Sequence, residues 1–450
     1  MPGSGQTLCK LMAPFAAATM VVVALTMLAG PAPSRADDTN AVLHKAMQSY
    51  QASIANAETL IQEVPGVPSQ ERAEGYRYLI AQPRIYVEMA VQDPDHPYFL
   101  RSTDDFSKFG LDNVDNLYGL AMVNGDADYR IFAAGISSTD LVFQCIVGMP
   151  GNNSLGRVVD TIDMDRIKRK PDGSYEIIVS PHPHHGNWLK CDSSMGAGPK
   201  LPLPKAPPTP PSGPLPVQVS YRQTFSDWEH QNPTTIYIES IGHAGTPSRP
   251  TTPELMARQI EQAGRLTEAT VRYWFYLNEV LTGKAHTNEL PKPWATVGGV
   301  AGQYLDAAPF KLANDEALVF TVKPSKARYM GVMLSDRWWF VSFDYRNHQS
   351  TLATPGQTHL GSDGVYRFVV SARDPGVSNW LDPAGHPEGA IFMRWQGLKS
   401  GAAPQQPVSK VVKFDQVRKE FPADEPVITA GVRRKAVAAR ALAVARRFAQ

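Results

Sequence analysis

The stretch Asp363–Trp395, which reads DGVYRFVVSARDPGVSNWLDPAGHPEGAIFMRW, is the segment around which the chain is organised. An earlier stretch, Asp172–Leu189, reads DGSYEIIVSPHPHHGNWL. Both pass from Asp-Gly to a tyrosine, an apolar run ending in Val-Ser, a polar loop and Asn-Trp-Leu, and their loops differ in length by one residue. Because this pattern occurs twice, we predict a duplicated β module whose sheets bury one face and whose loops are free for recognition.

Short apolar runs rich in β-branched and aromatic residues surround both copies of this pattern. They predict a mixed α+β, mostly β fold with two antiparallel β-sandwich units of the jelly-roll type. The predicted segments are a signal peptide (1–36), a helical N-terminal region (37–126), a first β-sandwich unit (127–242) with a Pro-rich loop (196–216), a helical connector (243–312), a second β-sandwich unit (313–415) and a basic C-terminal helix (416–450).

The chain begins with the layout of a secretory signal. Lys10 precedes an apolar core at Leu11–Gly30, and small residues follow at Ser34 and Ala36. We predict cleavage after Ala36 and a secreted or periplasmic, cell-envelope location. The apolar core also reaches the length of about 20 residues that spans a bilayer, so an uncleaved membrane anchor is the alternative.

The balance of charges and the cysteines limit the classes of partner. The chain has 44 Lys and Arg against 43 Asp and Glu, so no global positive field attracts nucleic acid. Cys145 and Cys191 follow the signal segment, each in phase with apolar neighbours. In an oxidising compartment they can form a disulfide that closes a loop of roughly 45 residues and contributes about 4 kcal/mol. Two buried free thiols are the alternative.

The densest group of polar and aromatic residues follows the predicted strand at 328–334. Tryptophan faces stack on sugars and other flat ligands, while Arg, Asn and Gln orient ligands by hydrogen bonds. We predict a ligand site here, against the alternative of core tryptophans with a capped loop. We also expect a strand at Trp338–Phe343. The candidate residues are Asp336, Trp338, Trp339, Asp344, Arg346, Asn347, His348 and Gln349.

A second candidate set lies inside the stretch quoted first. A histidine beside acids can serve as a general base. This set therefore supports an alternative function, an envelope hydrolase with a pocket that joins Asp374, Asp382 and His386. The other interpretation is an Asp–Arg pair that buttresses the loop. The set consists of Asp374, Asn379, Trp380, Asp382, His386 and Arg394.

Two further clusters carry metal-ligating residue types. The oxygens of Asp112–Asn116 suit a hard cation, but the spacing is not that of a helix-loop-helix calcium site, which favours capped turns. The histidines of His182–His185 lie on a loop, and zinc needs three or four ligands in fixed geometry. We predict a solvated loop, no metal site and no cofactor, with a loop metal as the hydrolase alternative. The sequence contains no phosphate loop, nucleophile elbow or dinucleotide fingerprint.

The C-terminal segment Val427–Gln450 has helical spacing with an apolar face and a basic face. Arg433, Arg440 and Arg447 share the basic face. We expect this face to be solvated, and the alternative is peripheral contact with an anionic membrane or envelope surface. Together with the Pro-rich loop, such a contact would suit a third function, a structural or assembly factor.

Short motifs also occur along the chain at Glu71–Arg77 (ERAEGYR), Asp112–Tyr118 (DNVDNLY), Ser180–Leu189 (ending in GNWL), Ser335–Trp339 (SDRWW), Asp344–Ser350 (DYRNHQS), Asp374–Trp380 (DPGVSNW) and Gly385–Trp395 (GHPEGAIFMRW). From about Ser69 to the C-terminus, the chain resembles the bacterial domain-of-unknown-function family 1214. The resemblance implies β-rich domains with associated helices, and it implies no agreed activity and no catalytic residue. The chain departs from the family in its Pro-rich loop and in His182–His185.

These observations lead us to expect an exported cell-envelope protein without nucleic-acid partners. Its ligand would be a small molecule or an envelope glycan or lipid-linked compound, bound through the loops near Trp338–Gln349.

Overall fold

Each β module of the sequence folds as a sandwich of a five-stranded sheet and a four-stranded sheet. The structure is a computed structural model that describes residues 35–149, 156–198, 215–283, 285–296, 300, 302–339, 341–398 and 403–449. The predicted signal segment up to residue 34 and the Pro-rich stretch 199–214 lie outside the described residues.

The described strands of the first sandwich are β1 (Leu100–Arg101), β2 (Asn116–Val123), β3 (Tyr129–Ala133), β4 (Asp140–Val147), β5 (Arg157–Asp163), β6 (Tyr175–Ser180), β7 (Trp188–Lys190), β8 (Val217–Thr224) and β9 (Ile236–Ser240). Those of the second are β10 (Trp294–Ala295), β11 (Tyr304–Lys311), β12 (Glu316–Val322), β13 (Tyr329–Ser335), β14 (Thr351–Thr354), β15 (Tyr366–Ser371), β16 (Trp380–Leu381), β17 (Glu388–Gln396) and β18 (Val408–Lys413).

The order of the strands shows that the two sandwiches have the same topology. The five-stranded sheets have the orders β1-β2-β8-β4-β5 and β10-β11-β17-β13-β14. The four-stranded sheets have the orders β7-β6-β3-β9 and β16-β15-β12-β18. Each strand of the second unit therefore corresponds to the strand nine numbers earlier. The predicted fold class, two β-sandwich units in a mixed α and β chain, is confirmed.

Each unit begins earlier than the sequence predicts. β1 and β2 lie before residue 127, and β10 and β11 lie before residue 313, in segments predicted as helical. All residues of β2 except one are buried, so the strand lacks the alternation of apolar and polar residues that marks a half-exposed strand. The helical prediction is wrong for all four strands, and for β2 the missing alternation is the reason.

Apolar side chains fill three layers between the sheets. Phe143 is among those inside the first sandwich, and Phe320 and Phe368, whose rings stack with centroids 5.2 Å apart, lie inside the second. A third cluster joins the five-stranded sheets and includes Phe225 from the first unit and Phe392 from the second. The two sandwiches are therefore packed through an apolar junction.

The Asn-Trp pair of the repeat has the same role in both units. The indole N–H groups of Trp188 and Trp380 donate to the carbonyl of the serine that ends the preceding strand, at 3.1 and 3.0 Å. The side-chain amides of Asn187 and Asn379 each donate to two backbone carbonyls and accept from one backbone N–H. The repeat in the sequence therefore encodes a structural loop closure, which brings β7 and β16 parallel to their neighbours.

Four α-helices accompany the two sandwiches in the described part of the chain. The connector helix follows Thr252, whose side chain accepts a hydrogen bond from the backbone N–H of Leu255. None of the helices in the described part of the chain is long and apolar enough to cross a membrane. The helices are α1 (Arg35–Glu63), α2 (Ser69–Val91), α3 (Pro253–Thr282) and α4 (Ala430–Arg447).

The basic face of α4 lies against the body of the protein. Arg433, Arg440 and Arg447 are all buried, and the guanidinium groups of Arg440 and Arg447 lie 4.6 and 4.2 Å from the ring centroid of Trp228. The expectation of a solvated face is wrong, because stacking on aromatic rings and bonds to internal acceptors compensate for the loss of water. The predicted envelope contact stays untested, and these arginines are not exposed for it.

A disulfide joins Cys145 in β4 to Cys191, which follows β7, with the two Cα atoms 5.4 Å apart. This bond confirms the predicted bridge. It ties the two sheets of the first sandwich together, since β4 and β7 belong to different sheets.

Candidate functional site

The loop after β13 is folded around the carboxylate of Asp336. Its oxygens accept hydrogen bonds from the backbone N–H groups of Trp338, Trp339 and Val341. The predicted strand at Trp338–Phe343 does not form, because the carboxylate takes backbone donors that a β-ladder would use.

Trp339 lies beneath this loop and not on its surface. The side chain is fully buried, and its indole N–H donates to the carbonyl of Glu71 at 2.8 Å. Helix α2 passes so close that a Cβ atom added at Gly75 would lie 2.6 Å from the indole ring. Gly75 therefore permits the helix to dock on the loop, and Trp339 anchors that contact instead of presenting a face to a ligand.

A cavity of about 410 Å³ opens between α2 and this loop. Its lining includes α2, the segment 105–108, the loop 336–348 and the loop that precedes β17. The structure thus brings together part of both predicted sets. The predicted residues that line the cavity are Asp336, Asp344, Arg346, Asn347, His348 and His386.

A buried ion pair lies at one side of the cavity. Nδ1 of His386 is 2.6 Å from Oε1 of Glu71, and the imidazole stacks on the ring of Phe343 with centroids 4.1 Å apart. Burial lowers the pKa of His386, but the hydrogen bond to Glu71 and the charges of Glu71, Asp336 and Glu74 outweigh it, so the pKa is raised. Nε2 of His386 has no hydrogen bond to any described residue, which leaves this atom available to a ligand.

The carboxyl of Asp336 has an unusual acidity. Burial raises the pKa of Asp336 to about 7, and the negative charge of Glu71 adds to the rise, although three backbone N–H groups oppose it. Near neutral pH this carboxyl therefore exchanges a proton readily. A proton-exchanging carboxyl beside an oriented histidine can take part in acid–base chemistry.

Cationic groups line the other side of the cavity. Nζ of Lys108 donates to a backbone carbonyl of the loop at 2.5 Å, and burial lowers the pKa of this amine. Arg346 pairs with Asp105 at 2.5 Å, and Nδ1 of His348 lies 2.8 Å from a carboxylate oxygen of Asp382. Each of these three side chains is held in place by an oxygen atom of the protein, so this wall of the cavity is preorganised.

Three side chains of α2 face the cavity without partners of their own. Gln70, Glu74 and Arg77 line it at helical positions i, i+4 and i+7, which places them on one face of the helix. None of the three forms a hydrogen bond or an ion pair with another side chain of the described chain. These groups can therefore bind a ligand without first breaking an internal contact.

Other members of the first predicted set hold the loop itself. The carboxylate of Asp344 accepts from the backbone N–H of Arg346 and from the backbone and side chain of Asn347. Gln349 is buried and donates to the carbonyl of Trp380 at 2.6 Å. Trp338 is partly buried, with the guanidinium of Arg337 5.3 Å from its ring centroid. Gln349 and Trp339 thus act in packing, as the capped-loop alternative predicts.

In the described part of the chain, Asp374 and Asp382 do not line the cavity that His386 lines. Asp374 pairs with Arg433 at 2.9 Å, in the manner of the Asp–Arg buttress, while Asp382 pairs with His348. Asp374 and Asp382 each have a different partner, and His386 pairs with Glu71, a carboxylate that lies in α2. Asn379 and Trp380 close the repeat loop, and Arg394 lies at the junction of the two sandwiches.

The two clusters with metal-ligating residue types differ in exposure. Asp112–Asn116 is buried, and Asp112 accepts from the backbone N–H and the hydroxyl of Ser342, so this segment ties the first unit to the loop of the second. His182, His184 and His185 are exposed. In the described ranges of the chain, no group of three or more His, Cys, Asp or Glu side chains is placed to hold a metal ion.

Sequence reasoning missed the half of the cavity that α2 and the segment after it supply. Glu71, Glu74, Arg77 and Lys108 lie more than 200 positions before the loop that they face. The only signal was the Glu71–Arg77 motif, whose Gly75 marks a close approach to another element.

Comparisons with known proteins bear on the fold. No family model matches the chain, and no curated protein matches it. Among solved structures, an uncharacterised protein from Burkholderia cenocepacia is 28% identical, with a TM-score of 0.71, over 84% of this chain and 99% of its own. The two chains share a fold. The VPA0106 protein from Vibrio parahaemolyticus is 11% identical with a TM-score of 0.41, over 80% of this chain and 100% of its own.

Proposed function

We propose that this chain is an exported cell-envelope protein that binds a polar, carbohydrate-like ligand in the cavity between α2 and the loop 336–348. The observation that carries the proposal is the set of partner-free groups, Gln70, Glu74 and Arg77, on the helix face that lines the cavity. Polar side chains that face a cavity without internal partners are the usual orienting groups of a ligand site.

The size and lining of the cavity favour a glycan over a lipid chain. A volume of about 410 Å³ lies within the range of small-molecule sites. Amides, carboxylates and guanidinium groups match hydroxyl groups, whereas an acyl chain would leave them without partners. Phe106 lines the same cavity and is 50% exposed, so its ring can stack on a sugar face in place of the buried Trp339.

Two features support export. The apolar segment Leu11–Gly30 has the layout of a secretory signal, and the disulfide between Cys145 and Cys191 is typical of proteins that fold in an oxidising compartment. The resemblance to the domain-of-unknown-function family 1214 is part of the same proposal and assigns no activity.

Binding to envelope glycans tests the proposal. Soluble cell-wall oligosaccharides are titrated into the purified protein by isothermal calorimetry. Glu74→Ala, Arg77→Ala and Phe106→Ala are each expected to weaken binding at least tenfold, because each removes about 1.4 kcal/mol or more of a desolvated contact.

Matched controls lie on other surfaces. Arg249→Ala removes an exposed guanidinium and Tyr237→Ala removes an aromatic side chain that is 54% exposed, and both should bind as the wild type does. Equal affinity of the cavity variants and the controls would show that the ligand, if bound, is held elsewhere, and the proposal would be wrong.

A hydrolase is the second candidate, favoured by the Glu71–His386 pair beside Asp336. His386, whose pKa is raised, would donate the proton on Nε2 to the leaving oxygen as the glycosidic bond breaks, and the Asp336 carboxylate would accept a proton from the water that attacks the sugar carbon. His386→Gln should abolish product release from a bound oligosaccharide while binding persists. Absence of any product with the wild-type protein would leave the binding function and remove the enzymatic one.

A further inference from the structure

Two arginines lie at the junction between the sandwiches, outside the cavity described above. Arg222 is on β8 and Arg394 is on β17, which are corresponding strands of the two units. The same two strands touch where the hydroxyl of Thr224 donates to Oε1 of Gln396 at 3.0 Å. Arg394 is 5% exposed, and Arg222 is partly buried.

Both guanidinium groups contact one tyrosine. Nη1 of Arg394 donates to the hydroxyl of Tyr118 at 3.4 Å, and the guanidinium carbon of Arg222 lies 5.8 Å from the centroid of the same ring. The other hydrogen bond of Arg394, from Nη2 to the carbonyl of Leu111, is also 3.4 Å long. Both bonds are at the upper limit for hydrogen bonds, so the donors of Arg394 are poorly satisfied.

Several donors of the pair have no acceptor at all. Nε of Arg394 is buried without a hydrogen bond, and Arg222 forms neither a hydrogen bond nor an ion pair with any residue that the structure describes. Burial lowers the pKa of Arg222, the charge of Tyr118 opposes this, and the charge of Arg394 lowers the pKa further, so the two arginines act on one another. Buried donors and like charges without an acceptor are unfavourable, so the two arginines are suited to bind an anion.

The carboxylate of Asp115, which also lies at this junction, already has hydrogen-bond partners. Asp115 accepts from the indole N–H of Trp228 at 2.8 Å and from the hydroxyl of Tyr329 at 2.6 Å. The charges of Arg447 and Arg440 also act on it. Asp115 therefore balances the arginines of α4, and no ion pair links it to Arg222 or Arg394 in the described structure.

We propose that Arg222 and Arg394, with the hydroxyl of Tyr118, form a binding site for an oxyanion, the carboxylate or phosphate group of a small ligand. Planar guanidinium groups present parallel N–H donors that match both groups. The rings of Phe109 and Trp274 lie beside Tyr118, with Phe109 5.6 Å from Tyr118 and 5.5 Å from Trp274 between centroids. They supply an apolar wall beside Tyr118, and a lower local dielectric strengthens a charge interaction.

Anion-dependent stability tests the site. Thermal unfolding of the full chain is followed while sodium chloride is replaced by sodium phosphate or by sodium acetate at constant ionic strength. An anion that binds the folded state should raise the midpoint by several degrees in a saturable way. A rise with phosphate alone identifies a phosphate site, and a rise with acetate identifies a carboxylate site.

Variants separate a specific site from a general salt effect. Arg222→Gln and Arg394→Gln should lose the saturable rise, whereas Arg130→Gln, which removes an arginine paired with Glu239 on an outer strand, should keep it. If Arg394→Gln fails to fold, Arg222→Leu tests the anion site by itself. This variant should fold, because Arg222 is only partly buried. This variant should be more stable than the wild type without added anion, since it removes the repulsion. No saturable rise in the wild type, or an equal rise in the Arg222 variants, would overturn the proposal.

Discussion

Oε1 of Glu71 lies 2.6 Å from Nδ1 of His386, although 315 positions separate the two residues in the chain. The contact exists because α2 docks on the loop after β13, where Gly75 leaves room for Trp339. The helix before the first sandwich therefore completes a cavity that belongs to the second sandwich.

Replacement of Glu71 should change the pH dependence of stability. The folded-state pKa of His386 is raised above the ordinary value of 6.5, so the pair stabilises the fold fully below that value. The contribution is lost as the pH rises through the folded-state pKa. Glu71→Gln should lower the free energy of unfolding by about 3 kcal/mol at pH of about 5.5 and by less at about 8.5. Urea denaturation across this range measures both. A constant difference between variant and wild type would contradict the assignment.

Asp306 is a buried acid without a cationic partner, and we expect it to make the fold less stable as the pH rises. It is fully buried in β11, and neither carboxylate oxygen has a hydrogen-bond partner in the described structure. Burial raises its pKa from 3.8 to about 8. Between these two values the folded state holds a proton that the unfolded state has lost, so stability falls by about 1.4 kcal/mol per pH unit from this group.

Asp306→Asn should remove that slope. The difference in the free energy of unfolding between variant and wild type should move in favour of the variant as the pH rises from about 5 to about 8. Chemical denaturation of both proteins at several pH values measures this difference. Parallel stability curves would show that Asp306 is ionised or solvated in the folded protein.

The two asparagines of the repeat should contribute different amounts to the free energy of unfolding. Both side chains make three hydrogen bonds with backbone groups, but Asn379 is 2% exposed and Asn187 is partly exposed. Asn379→Ala should lower the free energy of unfolding by about 3 kcal/mol and Asn187→Ala by about 1 kcal/mol, because water can replace the lost bonds only at the exposed site. Equal losses would indicate that burial does not decide the cost.

Arg447 should stabilise the junction of the sandwiches. It donates to the carbonyl of Val114 at 2.6 Å, and burial lowers its pKa to about 10 although Asp115 favours its charge. Arg447→Met should cost about 3 kcal/mol, since Asp115 would lose a buried counter-charge. Arg434→Met, on the exposed side of the same helix, should change stability by less than about 0.5 kcal/mol. Thermal and urea unfolding of both variants measure these changes. Similar losses of stability in the two variants would show that Arg447 does not stabilise the junction.

The disulfide should contribute stability through the unfolded state. Its cysteines are 46 positions apart, and the chain-entropy model predicts about 4 kcal/mol for a loop of that length. The double variant Cys145→Ala/Cys191→Ala should show this loss in urea, and reducing agent should affect the wild type alone. Unchanged wild-type stability under reduction would show that the bond does not form in solution.

The apolar runs at β3, β6 and β15 could be predicted because each is bounded by turn residues and rich in β-branched side chains. β2 could not, since a strand buried on both faces carries no alternation. The loop after β13 misled the prediction in a different way. Its aromatic residues have strand propensity, but Asp336 captures the backbone donors.

The sequence by itself determined the duplication, the fold class and the disulfide. Each depends on local periodicity or on cysteines that share the apolar face of a strand. Only the tertiary structure decided which way polar groups point. Arg440 faces Trp228 instead of water, and His386 meets Glu71 instead of Asp374, because long-range packing sets those partners. Sequence spacing places a charge on a helix face or a loop, but the element that covers that face decides whether the charge is solvated, paired or left to bind a ligand.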